Sequence, residues 1–432
     1  MVLSIMIILL LVLLVVGLPV GFTFAMSGAI GAILSGINLG TISSSAYYAL
    51  TSIPLLAIPL FILAGEIMNQ GKLIDRLVDL CELLLFWLKG RLGHVAIVAS
   101  AFLGAMTGSS VATVAAISSS MGKRMQEKGY ERGYVASLTA ASGLLGVLIP
   151  PSIPLIVYGA AVGASVSELF LATIIPGIIM TIVYMLLHKS MLKKVLRRDT
   201  EEGQKEGSSG YDADLMKTAK RCIFRALPAV VMPLIILGGI YSGLTTPTEA
   251  AAIAGFYALA VILIARAIGP SRVPAIFFTA AKTAGGIMCI IAFTSIFNKI
   301  MTLMQVPQTI ASVTIGLTDN KYIFLIFVNI LLFLVGMFME TNAAVLLMSP
   351  LLYPTAIAMG IDPIHFGIIL VTNIEIGLIT PPMAANIYVS ARINRSNLVE
   401  MWPYIRKFLL VSILVLLLIT YVEPISLWWK MI

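Results

Sequence analysis

The sequence predicts an all-α polytopic membrane protein built from two inverted-topology repeats, each with a re-entrant helical hairpin and a transmembrane helix broken at a Pro-Pro pair. Three observations predict it. Of 432 residues, 59% are apolar and 11% charged, and the mean hydropathy is +1.02; an ordinary soluble domain carries roughly 25% charged residues. The charges also cluster, with ten Lys/Arg and six Asp/Glu between Lys189 and Arg225, so nearly everything else is bilayer material. At roughly 20 residues per spanning helix this excludes a single-anchor protein and any large extramembrane domain. Finally, the chain resembles itself: Gly104 aligns with Gly336 at an offset of 232, and Pro150-Pro151 with Pro381-Pro382 at 231.

Taken in order, apolar runs cover 2–17, 20–36, 53–70, 94–120, 133–164, 168–189, 226–243, 247–266, 273–300, 321–360, 363–391 and 402–422. The first run follows Met1-Val-Leu-Ser-Ile with no Lys or Arg, so the basic n-region of a cleaved signal peptide is missing and the segment is expected to stay. Residues 2–36 read as two short spans or one kinked span. From Lys72 to Leu88, Lys72, Asp75, Arg76, Asp79 and Glu82 alternate with Leu73, Leu77, Leu80, Leu84 and Trp87. That spacing predicts an amphipathic helix at the cytoplasmic interface. The 94–120 run is interrupted at Gly104–Val111, and Lys89, Arg91, Lys123, Arg124, Lys128 and Arg132 flank both of its ends. A segment with cationic flanks at both ends enters and leaves on one side, which predicts a hairpin with its tip at Thr107–Ser110 and its mouth toward the cytoplasm.

The 321–360 run repeats that shape, broken at Gly336–Ala343, but Asp319, Lys321 and Asp362 flank it. Opposite flanking charge implies opposite topology. In register, Gly146 matches Gly377 and Ser142 faces Asn373. The count of crossings agrees: the basic loops at 121–132, after Lys189, at Arg266 and Arg272, and from Arg392 to Lys407 fall on the cytoplasmic side. Glu168, Tyr241–Glu249, Asp319–Lys321 and Glu423 fall outside. The expected organisation is a first repeat over 1–190, a charged cytoplasmic linker over 191–225, hydrophilic from Arg197 to Ala213, and a second repeat over 226–432. Hairpins at 94–120 and 321–360 are paired with broken helices at 133–164 and 363–391. Inverted repeats with broken helices are the signature of a secondary transporter.

The net charge of +8 is assigned to topology rather than to nucleic acid. Cys81, Cys222 and Cys289 lie far apart, as do His94, His188 and His365, so neither a metal site nor a disulfide framework is supported. No phosphate-cradling glycine loop or zinc-protease motif is present, and ATP is not this chain's energy source. The chemistry lies in the breaks. A proline lacks an N–H and clashes with the preceding turn, so a Pro-Pro pair releases carbonyls that need partners. Hard cations take oxygen ligands, and a monovalent ion held between tip and break is expected in each half. The first site draws on Thr107, Gly108, Ser109, Ser110, Pro150 and Ser152; the second draws on Glu340, Thr341, Asn342, Thr380 and Pro381. Ser110, Ser142, Tyr158, Asn342, Asn373 and Asn386 are the candidate lining of a substrate cavity. Of the two carboxylates inside apolar runs, the tip position favours Glu340 for function, with Glu375 a structural partner. Lys282 reads as snorkelling and Tyr388 as packing.

Gly108–Ala116, Leu148–Gly159, Pro247–Ala252, Gly336–Ala344, His365–Ile369 and Gly377–Pro382 together resemble the large membrane subunit of TRAP transporters, the tripartite ATP-independent periplasmic systems. The resemblance runs from about Gly17 to Ile393. It implies a sodium-coupled, elevator-type importer of organic carboxylates, C4-dicarboxylates or sialic acid among them, in the bacterial inner membrane. Na+ is the implied coupling ion, with no organic cofactor. The implied partners are a small four-helix membrane subunit, a periplasmic substrate-binding protein, an anionic small molecule and the lipid bilayer. Thr107 stands where a serine is frequent, and Thr341-Asn342 stands where Pro-Thr is; both keep side-chain oxygens. A self-sufficient sodium/dicarboxylate symporter is the alternative. An intramembrane hydrolase needs a paired nucleophile and base or two facing aspartates, which the sequence does not offer.

Overall fold

The computed structural model describes residues 1–195, 212–318 and 320–431. Residues 196–211 of the expected linker and the flanking Asp319 lie outside the described residues. The architecture is all-helical, and among the described residues eight helices are long and apolar enough to cross a membrane, or nine if one bent pair counts as a span. Both hairpins form. The first runs Arg91–Thr107 and Ser110–Glu127, the second Lys321–Phe338 and Thr341–Ala358.

Both broken helices form as well. The first consists of Arg132–Ser142, Leu145–Leu148 and, after a break, Ile153–Val162, with a 42° bend between its two parts. The second consists of Pro363–Gly377 and Ala385–Asn394. The Pro150-Pro151 and Pro381-Pro382 peptide bonds are both cis. The halves interlock crosswise. Helix Ile153–Val162 packs on the second arm of the second hairpin, while Ala385–Asn394 packs on the second arm of the first hairpin and on Arg132–Ser142. A buried hydroxyl and amide network seals the latter contact. Ser390 Oγ donates to the Ala136 carbonyl at 2.7 Å and lies 2.7 Å from Thr139 Oγ1, and Asn394 Nδ2 donates to Ser390 Oγ at 3.1 Å.

Around this unit, Ala57–Gln70 packs on Pro247–Ile264, and Val20–Leu34 on Val273–Leu303. The expected amphipathic helix forms over Leu73–Leu84, ending four residues early, with Leu73, Ile74, Leu77, Val78 and Cys81 buried. Its polar face clasps the first hairpin: Asp75 accepts from Ser120 at 2.7 Å, Asp79 pairs with Arg124 at 3.0 Å, and Glu82 pairs with Arg91 at 3.2 Å.

Among the helices not expected from hydropathy are Leu39–Leu50 and Val306–Leu317. The first is rich in serine and is capped by Asn38, whose side chain accepts from Gly40 N. The second is the counterpart of Leu73–Leu84. Both start on a non-glycine residue in the left-handed region, Lys72 at φ 54° and Gln305 at φ 55°, so the repeat itself was the signal that would have found it.

Candidate functional site

Glycine pairs set the geometry of each site. A Cβ on Gly104 would lie 2.5 Å from the Leu145 carbonyl oxygen, and one on Gly146 2.4 Å from Thr113 Oγ1. In the second half a Cβ on Gly336 would lie 2.6 Å from the Ile374 carbonyl oxygen, and one on Gly377 2.3 Å from the Gly336 carbonyl carbon. Only a residue without a side chain lets the hairpin arm and the broken helix approach so closely. One backbone hydrogen bond then ties each hairpin to its break, Ile153 N to Gly108 O at 3.1 Å and Met383 N to Met337 O at 3.1 Å. Gly108 itself adopts φ 61°, which turns the chain between the two arms of the first hairpin.

The tips present capped helix N-termini. Ser109 caps the arm Ser110–Glu127, and Glu340 caps Thr341–Ala358 by accepting from Asn342 N at 3.0 Å and Ala343 N at 3.2 Å. The other Glu340 oxygen accepts from Asn342 Nδ2 at 2.6 Å. Glu340 is thus engaged in shaping its own tip. Thr107 Oγ1 donates to the Leu103 carbonyl at 3.0 Å and lies 3.1 Å from Thr113 Oγ1, a buried residue that the sequence reading passed over.

Several polar atoms here are buried and, among the described residues, have no hydrogen-bond partner: Ser142 Oγ, Ser152 Oγ, Asn342 Oδ1, Glu375 Oε2, and both amide atoms of Asn386. Burying a polar group without a partner costs about 1–3 kcal/mol. Such atoms at two helix breaks make an arrangement that oxygen-coordinated cations and polar ligands would complete.

Residues 7–425 match the family model described as the DctM component of the tripartite ATP-independent periplasmic transporter. The chain belongs to this DctM family. It is 34% identical over 95% of its length to the isethionate TRAP transporter permease protein DctMQ of Oleidesulfovibrio alaskensis, spanning 64% of that relative. It is 31% identical to the C4-dicarboxylate TRAP transporter large permease protein DctM of Rhodobacter capsulatus, covering 91% of this chain and 90% of that one. The fold is similar to the crystal structure of the Alcanivorax borkumensis YdaH transporter, with a TM-score of 0.61, 16% identity and 90% of each chain covered. The DctM chain is therefore a multi-pass bacterial inner-membrane transporter component, and its family works as one part of a multi-component system.

Not every expected site residue of this DctM chain converges on the tips. Tyr158 is fully buried, donates to the Pro363 carbonyl at 2.7 Å and lies against Gly367, at the opposite end of helix Pro363–Gly377 from Glu375. It is a strut between the two broken helices. Asn373 donates to the Asn329 carbonyl at 2.9 Å and to Asn329 Oδ1 at 2.7 Å, joining the broken helix to the first arm of the second hairpin. Thr380 Oγ1 donates to the Ile376 carbonyl at 3.1 Å, one turn back along the chain. The exposed Tyr388 donates to the Pro382 carbonyl.

The two glutamates take different places in the fold. Glu375 is 1% exposed and accepts from Thr341 Oγ1 at 2.9 Å. It thus reaches the tip of the second hairpin from the broken helix, whereas Glu340 caps that tip. The sequence carried the signal, a carboxylate two residues before a repeat-matched glycine, but the contact joins the broken helix to the hairpin and depends on the tertiary fold.

Proposed function

We propose that this chain is the large permease subunit of a sodium-coupled, binding-protein-dependent importer of organic carboxylates. In this reading the hairpins and broken helices move together past the surrounding helices in an elevator motion. The observation that carries it is the pairing, in both halves, of a hairpin tip with a Pro-Pro break lined by buried oxygens lacking protein partners. The first ion would be held among Thr107, Gly108, Ser109, Ser110, Pro150 and Ser152, and the second among Glu340, Thr341, Asn342, Thr380 and Pro381. The helix N-terminus at Ser110 favours a carboxylate beside the tips, with Ser142 and Asn386 contributing polar lining. Two bound cations would offset the cost of burying that anion.

The inverted halves would run over 1–190 and 226–432, joined by the 191–225 linker. A small membrane subunit would steady the surrounding helices, and a periplasmic protein would deliver the solute. The test is uptake of isethionate, a C4-dicarboxylate and sialic acid by proteoliposomes under a sodium gradient, by the chain alone and with both partners. Sodium-dependent uptake only with both partners supports the reading. Robust uptake by the chain alone would replace it with a self-sufficient symporter. Separately, Ser109→Ala, Ser110→Ala, Thr341→Ala and Asn342→Ala should each raise the sodium needed for half-maximal uptake, and unchanged sodium dependence in all four would remove the ion assignment.

A further inference from the structure

Helix Thr341–Ala358 contains Pro350, which has no N–H to donate to the Leu346 carbonyl four residues before it. The donor comes from outside the hairpin. Asn298, on helix Val273–Leu303, donates its side-chain Nδ2 to the Leu346 carbonyl at 2.7 Å. The Asn298 amide oxygen is buried and, among the described residues, has no hydrogen-bond partner. Among the described residues this is also the one side-chain hydrogen bond that joins helices Val20–Leu34, Ala57–Gln70, Pro247–Ile264 and Val273–Leu303 to either hairpin.

The repeat does not duplicate it. The left-handed residues Lys72 and Gln305 relate the two halves at an offset of 233, at which the counterpart of Asn298 is Gly65 on helix Ala57–Gln70. Even a Cβ there would keep an ordinary 3.5 Å from the Met106 carbonyl oxygen and from Thr107, so the helix passes the tip of the first hairpin without a side chain to hold it. The second arms begin at Ser110 and Thr341, an offset of 231 at which the counterpart of Pro350 is Ser119. Ser119 keeps its N–H and adds a hydroxyl that donates to the Ala115 carbonyl at 2.7 Å. The carbonyl deprived of its helical donor and the side chain that serves it occur together in the second half, and both are missing from the first.

An elevator motion slides the hairpins past the surrounding helices. One helical turn advances about 5.4 Å, whereas a hydrogen bond is lost by about 3.6 Å, so a slide of even one turn breaks this contact. The Leu346 carbonyl and the Asn298 amide then each need another partner. We propose that the Asn298–Leu346 hydrogen bond is a latch that holds the second hairpin in the position seen here and opens in each transport step. This rests on the elevator reading above and adds to it the contact that sets the balance between positions. Asn298→Leu removes the donor at similar size. Pro350→Ala supplies an N–H to the Leu346 carbonyl from within its own helix, so opening no longer strands that oxygen and the latch weakens with Asn298 intact.

The experiment measures distances between spin labels on cysteines replacing Leu244 and Ala358, both exposed, in the full chain lacking Cys81, Cys222 and Cys289, in lipid nanodiscs with and without sodium. Leu244 lies just before helix Pro247–Ile264, and Ala358 ends the hairpin arm that carries the latch. Asn298→Leu should raise the population at other distances, relative to the population at the distance of this structure, by about two- to tenfold, the range that one net hydrogen bond carries. Pro350→Ala should shift the ratio in the same direction. Because both changes act on one latch, the double variant should fall short of the product of the single shifts.

Ratios unchanged in both single variants, or a double variant matching that product within about twofold, would overturn the latch alone. One distance population in the unaltered chain and in every variant, with and without sodium, would overturn the elevator reading and the latch with it. Should Asn298→Leu fail to fold, Pro350→Ala carries the test, and an unchanged ratio in that variant would overturn the latch.

Discussion

Gly336→Ala probes the contact that builds the second site. The new Cβ would fall 2.6 Å from the Ile374 carbonyl oxygen and 2.9 Å from Ile374 Cα. Both are backbone atoms of a helix and cannot rotate aside. Reaching an ordinary contact near 3.4 Å requires the hairpin arm and helix Pro363–Gly377 to separate by roughly 0.8 Å, an overpacking that costs about 1–3 kcal/mol. Helix propensity acts the other way, since Ala is favoured over Gly by about 1 kcal/mol in a helix interior.

Gly238 calibrates that opposing effect, because it lies inside helix Asp212–Tyr241 with no atom within 4 Å of a built Cβ. Gly238→Ala is expected to raise the melting temperature in detergent slightly, and Gly336→Ala to lower it. The same displacement would stretch the Thr341–Glu375 hydrogen bond from 2.9 Å to roughly 3.7 Å, beyond hydrogen-bonding distance. Sodium dependence should therefore shift in Gly336→Ala and not in Gly238→Ala. Equal stability changes in the two variants, with sodium dependence unchanged, would refute the close-contact reasoning.

Three further outcomes follow from other parts of the structure. In a background lacking Cys81, Cys222 and Cys289, single cysteines at the exposed positions Lys128 and Ala358 should react with an impermeant thiol reagent from opposite membrane faces; labelling of both from one face would break the inverted topology. Ser390→Ala removes hydrogen bonds to Ala136 and Thr139 inside the interlock and should lower stability by about 1–3 kcal/mol, read as a shift in thermal unfolding. At Asp362, burial pushes the carboxyl up, but Lys430 and the amides of Ile364 and His365 outweigh it and hold the group below its usual range. The stabilisation is complete above the unfolded value of about 4 and is lost as pH falls through the lower folded value. Unfolding followed between about pH 7 and pH 3 should show an acid loss that is smaller in Asp362→Asn.

Much of this protein was legible from its residues taken singly and in order. The low charge content determined the bilayer as solvent, and the cationic flanks of 94–120 against Asp319, Lys321 and Asp362 around 321–360 predicted two hairpins facing opposite ways. The matched Pro-Pro pairs placed both breaks, because two successive residues without an N–H leave adjacent bonds of the helix ladder unmade. The glycines at 104, 146, 336 and 377 signalled a repeat, although their purpose as backbone contacts appears only when the arms are packed.

Hydropathy missed Leu39–Leu50, which Asn38 caps, and Val306–Leu317, which has no side-chain cap, since short helices held by packing on neighbours need no long apolar run. What only the tertiary structure decided is which polar groups meet across the halves. Tyr158 and Asn373 looked like cavity residues by their distance from the breaks, yet each satisfies a carbonyl of a neighbouring helix. Glu340 and Glu375 are alike as carboxylates in apolar runs. Glu340 caps the helix that begins beside it, a local interaction written in adjacent residues. Glu375 meets Thr341 from 34 residues away. Such a contact has no signature along the sequence, because it exists only once the broken helix has been packed against the hairpin tip.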